Sequence, residues 1–380
     1  MRVKLKDQIK DYGKSIGIDL LGFTSANAFE EIRSILEKRE ALGHLSGFEE
    51  KDIELRIDPK KTMTDAKSIL VIGLSYYNEN IKKSENHETE FSGVLARTAW
   101  GKDYHYVLKE KLEEIAAFIQ KQDKDFQYKI FVDTGPLVDR QVAYRAGLGW
   151  YGYNSLLINE KYGSWFFIGY MLNNIAFEED KPLTNKNCQG CNLCIKHCPK
   201  GAIEGPYGFH AKKCVSNLLQ QKEDIDEEDR KILGKNLYGC DICQSVCPHN
   251  KKAVLMTEGD FAPQVVSPTP DLIEILYMSN KAFKETYGTT SAGWRGKRTL
   301  QRNAIIALAN NGDKKAIPHL LPLLEDDRPE IRRYGIWAIF QLDPFTGKEI
   351  SKEMKKKEQD EKVLNTIEDC LNKIFSSKNQ

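Results

Sequence analysis

The sequence predicts an α+β multidomain protein, and three observations carry the prediction. Residues 1–180 alternate helical and strand patterns. Eight of the nine cysteines fall between Cys188 and Cys247. The stretches "RNAIIALAN" (302–310) and "RYGIWAIFQ" (333–341) align at an offset of 31 residues, the mark of a helical repeat. The 380 residues then divide into an α/β domain over 1–180, a ferredoxin-like domain over 181–255, a linker and helical segment over 256–296, and a HEAT-like repeat over 297–380.

Each element has its own signal. "LKDQIKDYGKSIGI" is amphipathic and runs out at a glycine, as a helix does, and "DLLGFTSA" follows as a strand. "KSILVIGLSYY" (67–77) reads as a strand with a buried centre. "DYHYVLKEKLEEIAAFIQKQ" sets Val107, Leu108, Leu112, Ile115, Ala116 and Ile119 at helical spacing. "YKIFVDTGPL" (128–137) is a strand entering a Gly-Pro turn, and "GSWFFIGYML" (163–172) is a further strand. "AGLGWYGYNS" is either a tight loop or backbone lying close against a flat ligand. No strand is followed by GxGxxG, and GxxxxGK is absent, so no dinucleotide or P-loop fingerprint is found. The proline-bearing "FAPQVVSPTPDL" is the linker. In the repeat, Arg302 matches Arg333, Ile305 matches Ile336 and Ala307 matches Ala338.

The cysteine spacing points to metal. "CQGCNLCIKHCPK" holds Cys188, Cys191, Cys194 and Cys198, with a proline after the last. In two-cluster ferredoxins the fourth cysteine of such a run ligates the other cluster. That requires a second set, and "CDICQSVCP" supplies Cys240, Cys243 and Cys247, again followed by proline. Crossed ligation gives one 4Fe–4S cluster to Cys188, Cys191, Cys194 and Cys247. The second takes Cys198, Cys240 and Cys243, and Cys214 is the nearby thiol that completes it. Two structural zinc sites are the competing reading, but zinc ribbons use separated CxxC pairs rather than a CxxCxxC triple. Cys370 sits in the helical tail, where a helix-face thiol is expected.

Composition sets the remaining bounds. Hydrophobic residues make up 41% and charged residues 29%, as in a core-forming globular chain. The net charge of +1 leaves attraction to a polyanion to local patches. One such patch is in view: Thr286 to Gly312 contains no acidic residue but carries Arg295, Lys297, Arg298 and Arg302, and Arg332 and Arg333 follow one repeat on. This is either a solvated helix face or a phosphate-binding patch. "MRVKLKDQIKDYG" has no apolar signal segment, and no apolar run nears the roughly 20 residues that span a bilayer. A soluble cytoplasmic protein without a membrane partner is expected.

Together these parts resemble the epoxyqueuosine reductase family. The carriers are "LSGFEEKDIELRIDP", "ARTAWGKDYHYVL", "FVDTGPLVDR", "RAGLGWYGYNSLLI", the paired cysteine sets and "GWRGKRTLQRNAIIAL", in the family's order over nearly the whole chain. The resemblance implies cobalamin in the N-terminal domain beside the two 4Fe–4S clusters. It implies reduction of the epoxide of epoxyqueuosine to the alkene of queuosine at the wobble base of transfer RNA, with the C-terminal helices gripping the stem-loop. An external electron donor and a monomeric enzyme are expected.

The family match makes Asp133 the proton donor and a cofactor contact, with Asp139 and Asp103 as weaker candidates. A free aspartate is ionised at neutral pH, so a donor here needs burial against corrin and substrate. Tyr104 and His105 are expected to line the same pocket. "DYHYVL" begins like the DxHxxG that gives a histidine to cobalt elsewhere, but Leu108 replaces the glycine and the stretch reads as a helix start. His105 is therefore not assigned as an axial ligand. Arg56 is the expected contact to corrin side groups, since guanidinium suits amide and phosphate oxygens. Ser216 and Asp241, beside cluster cysteines, are further corrin contacts. Some relatives carry a cysteine where this chain has Ala96. Arg140, Lys222, Lys297, Arg298 and Arg302 are the expected contacts to transfer RNA. Two other functions fit parts of the pattern: a cobalamin and iron–sulfur reductase of a small molecule, like reductive dehalogenases, and a non-enzymatic electron carrier docking through its helical tail.

Overall fold

The structure is a computed structural model and describes residues 2–78, 89–256, 259–263 and 266–376. Residues 264 and 265 of the expected linker lie outside these ranges. The chain forms two compact units that do not follow linear order. One contains 1–80, 101–217 and 241–262, and the other 81–100, 218–240 and 263–380. The N-terminal segment and most of the cysteine-rich segment thus share a unit. The stretch 218–240, which ends at the first cysteine of the second set, belongs with the helical repeat.

The first unit is built on four strands. After helix α1 (Arg2–Ser15) come β1 (Leu20–Ser25), β2 (Ser68–Ser75), helix α2 (Tyr104–Gln120), β3 (Tyr128–Phe131), helix α3 (Asp139–Arg145) and β4 (Phe166–Asn173). The sheet order is β1-β2-β4-β3. Every pairing is antiparallel: Leu20 faces Gly73, Ser75 faces Phe166, and Phe131 faces Tyr170. The alternation of β2 explains its unbroken apolar run. Leu70 and Ile72 point into one core with Leu108, Leu112, Ile115 and Ile119 of α2 and with Ile9 of α1. Ile69 and Val71 point into the other with Val142 and Ala143 of α3. Both faces are covered, so no residue of β2 is left for solvent. The strand expected over 128–137 ends at Phe131, because the backbone turns left-handed at Asp133 (φ 56°). Of the short helices in the cysteine-rich segment, α4 (Leu193–His197) and α5 (Ile242–Ser245) pack on each other.

In the glycine-rich stretch, a side chain on Gly149 would meet the Ile158 carbonyl at 2.8 Å, and one on Gly147 the Lys181 carbonyl at 2.7 Å. These glycines are required by the chain's own backbone packing, so the tight-loop reading explains them.

The second unit is helical. Its repeat comprises α6 (Lys297–Asn311), α7 (Pro329–Leu342), α8 (Pro344–Lys357) and α9 (Glu361–Ser376). The matched pairs Ile305/Ile336 and Ala307/Ala338 are all fully buried, so the offset traces the inward face of two stacked helices. Cys370 is buried in α9, and burial pushes its thiol up to about 12.

Candidate active site and cluster cradle

Asp133 stands where β3 gives way to the turn leading to α3. Aspartate tolerates the left-handed region better than most residues, because its short side chain hydrogen-bonds locally. The turn leaves its carboxylate exposed. Tyr104 Oη donates to Asp133 Oδ2 at 2.8 Å, and the Asp133 amide donates to Asp139 Oδ2 at 2.9 Å. Tyr104 is the first residue of α2, and its ring is held between His105 (centroids 4.1 Å apart) and Phe167 of β4 (4.2 Å, nearly parallel).

Asp103 caps α2. Its Oδ1 accepts the His105 amide at 3.0 Å and lies 2.6 Å from His105 Nδ1. That contact places the Nδ1 proton toward Asp103 and turns Nε2 toward Asp133 Oδ2, 3.9 Å away. Burial works against a charged His105, but the hydrogen bond and charge of Asp103, followed by the charges of Asp133 and Asp139, outweigh it and raise the imidazole's affinity for a proton. Asp103 is lowered in turn: burial opposes this, and the bonds from His105 prevail. Asp139 is pushed up to about 8, by dense packing around its carboxyl and then by the Asp133 charge. A cleft of about 240 Å³, lined by Val107, Lys111, Tyr76, Asn78 and Phe261 among others, opens one turn further along α2.

The same unit carries a group of arginines that influence one another. Arg56 is nearly enclosed, 7% exposed, and burial lowers its proton affinity against the pull of Glu49. Arg39 and Arg56 repel each other, as do Arg39 and Arg140. Arg39 Nε is buried with no hydrogen-bond partner. Arg140 is exposed, donates to the Ser155 carbonyl at 3.1 Å and is felt by the Cys214 thiol. Ser216 and Asn217 donate amide protons to Cys214, and neither polar atom of the buried Asn217 side chain has a partner. These orphaned groups fit a bound molecule rich in amide and phosphate oxygens. Arg39 and Asn217 lie outside the family stretches named above, and Glu49 lies within one without a motif of its own to mark its role. Asp241 begins α5, its carbonyl accepting from Gln244 and Ser245.

The cysteines fit iron–sulfur ligation. Burial raises the Cys194 thiol to about 11, and Cys188 and Cys247 add to the shift. Cys188 responds in the same way to Cys247 and Cys191. Cys214 responds to Cys198 instead. Cys188 Sγ accepts the Tyr153 amide at 3.3 Å, and Cys198 Sγ accepts that of Ala202 at 3.2 Å, the type of bond that tunes cluster potentials. Among the described residues no three His, Cys, Asp or Glu side chains converge on a single-ion site. A 4Fe–4S cube holds its thiolates wider apart than one ion does.

The expected phosphate patch is corrected at Arg302. Its side chain is fully buried and donates to the carbonyls of Leu219, Gln221 and Glu223, so it is a structural strut and not an RNA contact. Arg333 is buried and pairs with Asp224, and Arg332 pairs with Glu358. Lys297 Nζ donates to the Met278 carbonyl at 3.1 Å. Arg298 is half exposed and pairs with Glu330 at 3.0 Å, and Lys222 is exposed.

Comparison with known proteins agrees with this geometry. The family model described as "Epoxyqueuosine reductase QueG, DUF1730" matches residues 56–134. A "4Fe-4S double cluster binding domain" matches 187–250, and a "PBS lyase HEAT-like repeat" matches 300–326. The epoxyqueuosine reductase of Bacillus subtilis (strain 168) is 41% identical over 363 residues, covering 95% of this chain and 94% of the relative. The chain belongs to the epoxyqueuosine reductase family. The Staphylococcus aureus (strain NCTC 8325 / PS 47) enzyme is 43% identical, with 89% of each chain covered. Among solved structures, an epoxyqueuosine reductase with an epoxyqueuosine-modified tRNA-Tyr stem loop matches at TM-score 0.92 and 40% identity, covering 98% of this chain and 99% of that one. Another, from Bacillus subtilis, matches at TM-score 0.91 and 39% identity and is described with its catalytic aspartate loop swung out of the active site. Epoxyqueuosine reductases are oxidoreductases, and the family carries cobalamin with two 4Fe–4S clusters.

Proposed function

We propose that this chain reduces the epoxide of epoxyqueuosine in transfer RNA to the alkene of queuosine, at the wobble position of the anticodon. The observation that carries this reading is near-complete superposition on a relative solved with the epoxyqueuosine-modified stem loop. The reaction consumes two electrons and two protons, and the epoxide oxygen leaves as water. Cobalamin reduced through the two clusters supplies the electrons that break the carbon–oxygen bonds. The first cluster is held by Cys188, Cys191, Cys194 and Cys247, and the second by Cys198, Cys214, Cys240 and Cys243. Cys188 and Cys194 both respond to Cys247, Cys247 responds to Cys191, and Cys214 responds to Cys198, which supports the crossing. An external donor feeds the clusters, and the enzyme acts as a monomer in the cytoplasm. Among the described residues no helix is long and apolar enough to cross a membrane.

The residues around Asp133 handle protons. Asp133 presents its carboxyl to the epoxide oxygen and donates a proton as the bond opens. Tyr104 Oη fixes the carboxyl's orientation. His105, made basic by Asp103, holds a proton on Nε2 facing Asp133 and can restore the one delivered. The relative whose catalytic aspartate loop stands outside its active site supports a movable turn around Asp133 here. Arg39 and Arg56 would take the cofactor's phosphate and amide oxygens, with Ser216, Asn217 and Asp241 at its rim. Arg140, Lys222, Lys297 and Arg298 bind RNA phosphates, which give affinity without base readout.

The test is direct. Protein reconstituted with iron, sulfide and cobalamin is incubated with a chemical reductant and an epoxyqueuosine-bearing anticodon stem-loop. The modified base is then weighed by mass spectrometry. Loss of one oxygen atom with formation of queuosine is expected. An unchanged base in the presence of intact clusters and bound corrin would refute the reading.

A further inference from the structure

Asp139 has a place in this geometry that proton donation by Asp133 does not explain. Asp133 sits at φ 56°, a backbone conformation that L-residues rarely adopt unless something holds them there. Residues 132–138 contain no helix or strand to impose it. Inside the turn, the Thr134 amide bonds to the Val132 carbonyl at 2.6 Å. A side chain on Gly135 would collide with the Tyr170 hydroxyl beneath it. What ties Asp133 itself to the scaffold is two bonds: its Oδ2 from Tyr104, and its amide to Asp139 Oδ2 at 2.9 Å. Asp139 is the first residue of α3, whose Val142 and Ala143 are anchored in the core, so its carboxylate is a fixed point.

We propose that Asp139 is a positioning residue: by accepting the Asp133 amide proton it latches the catalytic turn in the left-handed conformation that aims Asp133 at the substrate. This rests on the reading of Asp133 as proton donor. Few other groups bear on the latch. Asp133 faces it from the turn, Tyr170 from β4 and His105 from α2, and Arg140 adjoins it on α3. Crowding first, then the Asp133 charge, brings Asp139 to ionise near pH 8. A carboxylate accepts an amide proton about twice as strongly as a neutral oxygen does. The rate of the chemical step therefore carries an inflection that belongs to Asp139.

Single-turnover rates on the modified stem-loop, with corrin and cluster absorbance recorded for each protein, test the proposal. Asp139→Ala removes the acceptor, and the chemical rate should fall about ten- to a hundredfold while stem-loop affinity stays at the parent value. Asp139→Asn keeps an acceptor oxygen that cannot titrate. It should restore the rate to within about threefold of the parent and abolish the inflection near pH 8. An Asp139→Ala enzyme at the parent rate overturns the proposal. So does an Asp139→Asn enzyme as slow as Asp139→Ala, or one that keeps the inflection. If Asp139→Ala loses corrin or iron, the Asp139→Asn rate and pH profile decide alone. Asp133→Asn separates the two claims. A slow Asp133→Asn beside a normal Asp139→Ala sinks the latch only, whereas a normal Asp133→Asn sinks the proton-donor reading on which the latch depends.

Discussion

Asp103 Oδ1 takes the amide proton of His105 at 3.0 Å and sits 2.6 Å from its Nδ1, so one oxygen both starts a helix and charges the imidazole facing Asp133. Burial alone would lower the His105 pKa, and the bond and charge of Asp103, then the charges of Asp133 and Asp139, raise it above its usual 6.5. A raised histidine stabilises the fold fully below the unfolded value, and that contribution fades as pH climbs through the folded value. Asp103→Asn keeps a competent cap but removes the charge. We expect the His105 ring resonance in an NMR titration to move at lower pH in the variant, and turnover at neutral pH to fall with it. A His105 titration at the parent pH would show that Asp103 acts only as a cap. The sequence pointed to Asp133, Tyr104 and His105 because they lie in the family's motifs. It did not show that Asp139 holds the Asp133 amide, since that bond spans six residues across an irregular turn and follows no periodicity.

At the scale of the elements, α6 and α7 show why a charge is legible in a sequence and its environment is not. The 31-residue offset found the repeat because matched apolar positions share a buried face. Arg302 and Arg333 match in the same register, and both prove to be buried on that face. Arg302 reads as a surface charge in the sequence because its acceptors are carbonyls at 219–223, about 80 positions upstream, which no local pattern connects to it. Arg302→Ala would leave those carbonyls unpaired and should cost about 3–5 kcal/mol in denaturant unfolding. Arg298→Ala should cost no more than about 1 kcal/mol, as its Glu330 pair is half exposed. It should lower transfer-RNA affinity and reduce the salt slope by roughly one. If Arg302→Ala melted like the parent and lost salt-dependent binding instead, the assignments of the two arginines would be reversed. The strands were legible from their alternation. Their antiparallel order was not, because β2 is covered on both faces and reads like a parallel core strand.

For the whole molecule, sequence order and spatial order part company: 1–80, 101–217 and 241–262 make one unit, and 81–100, 218–240 and 263–380 the other. The linear boundaries at 180 and 255 follow shifts in composition, whereas the units follow packing, which places α4 and α5 with the sheet and 218–240 with the helices. The central claim is that electrons pass through two clusters and cobalamin in this one chain to an epoxide in transfer RNA. Its most direct test compares three preparations in one turnover assay on the epoxyqueuosine stem-loop: protein with both clusters and cobalamin, protein with both clusters alone, and protein with cobalamin but with iron removed by a chelator. The account predicts queuosine only from the first preparation when electrons come from a protein or dithionite donor, with corrin and iron co-eluting with the chain. Equal conversion without cobalamin, or without iron under the same donor, would contradict it.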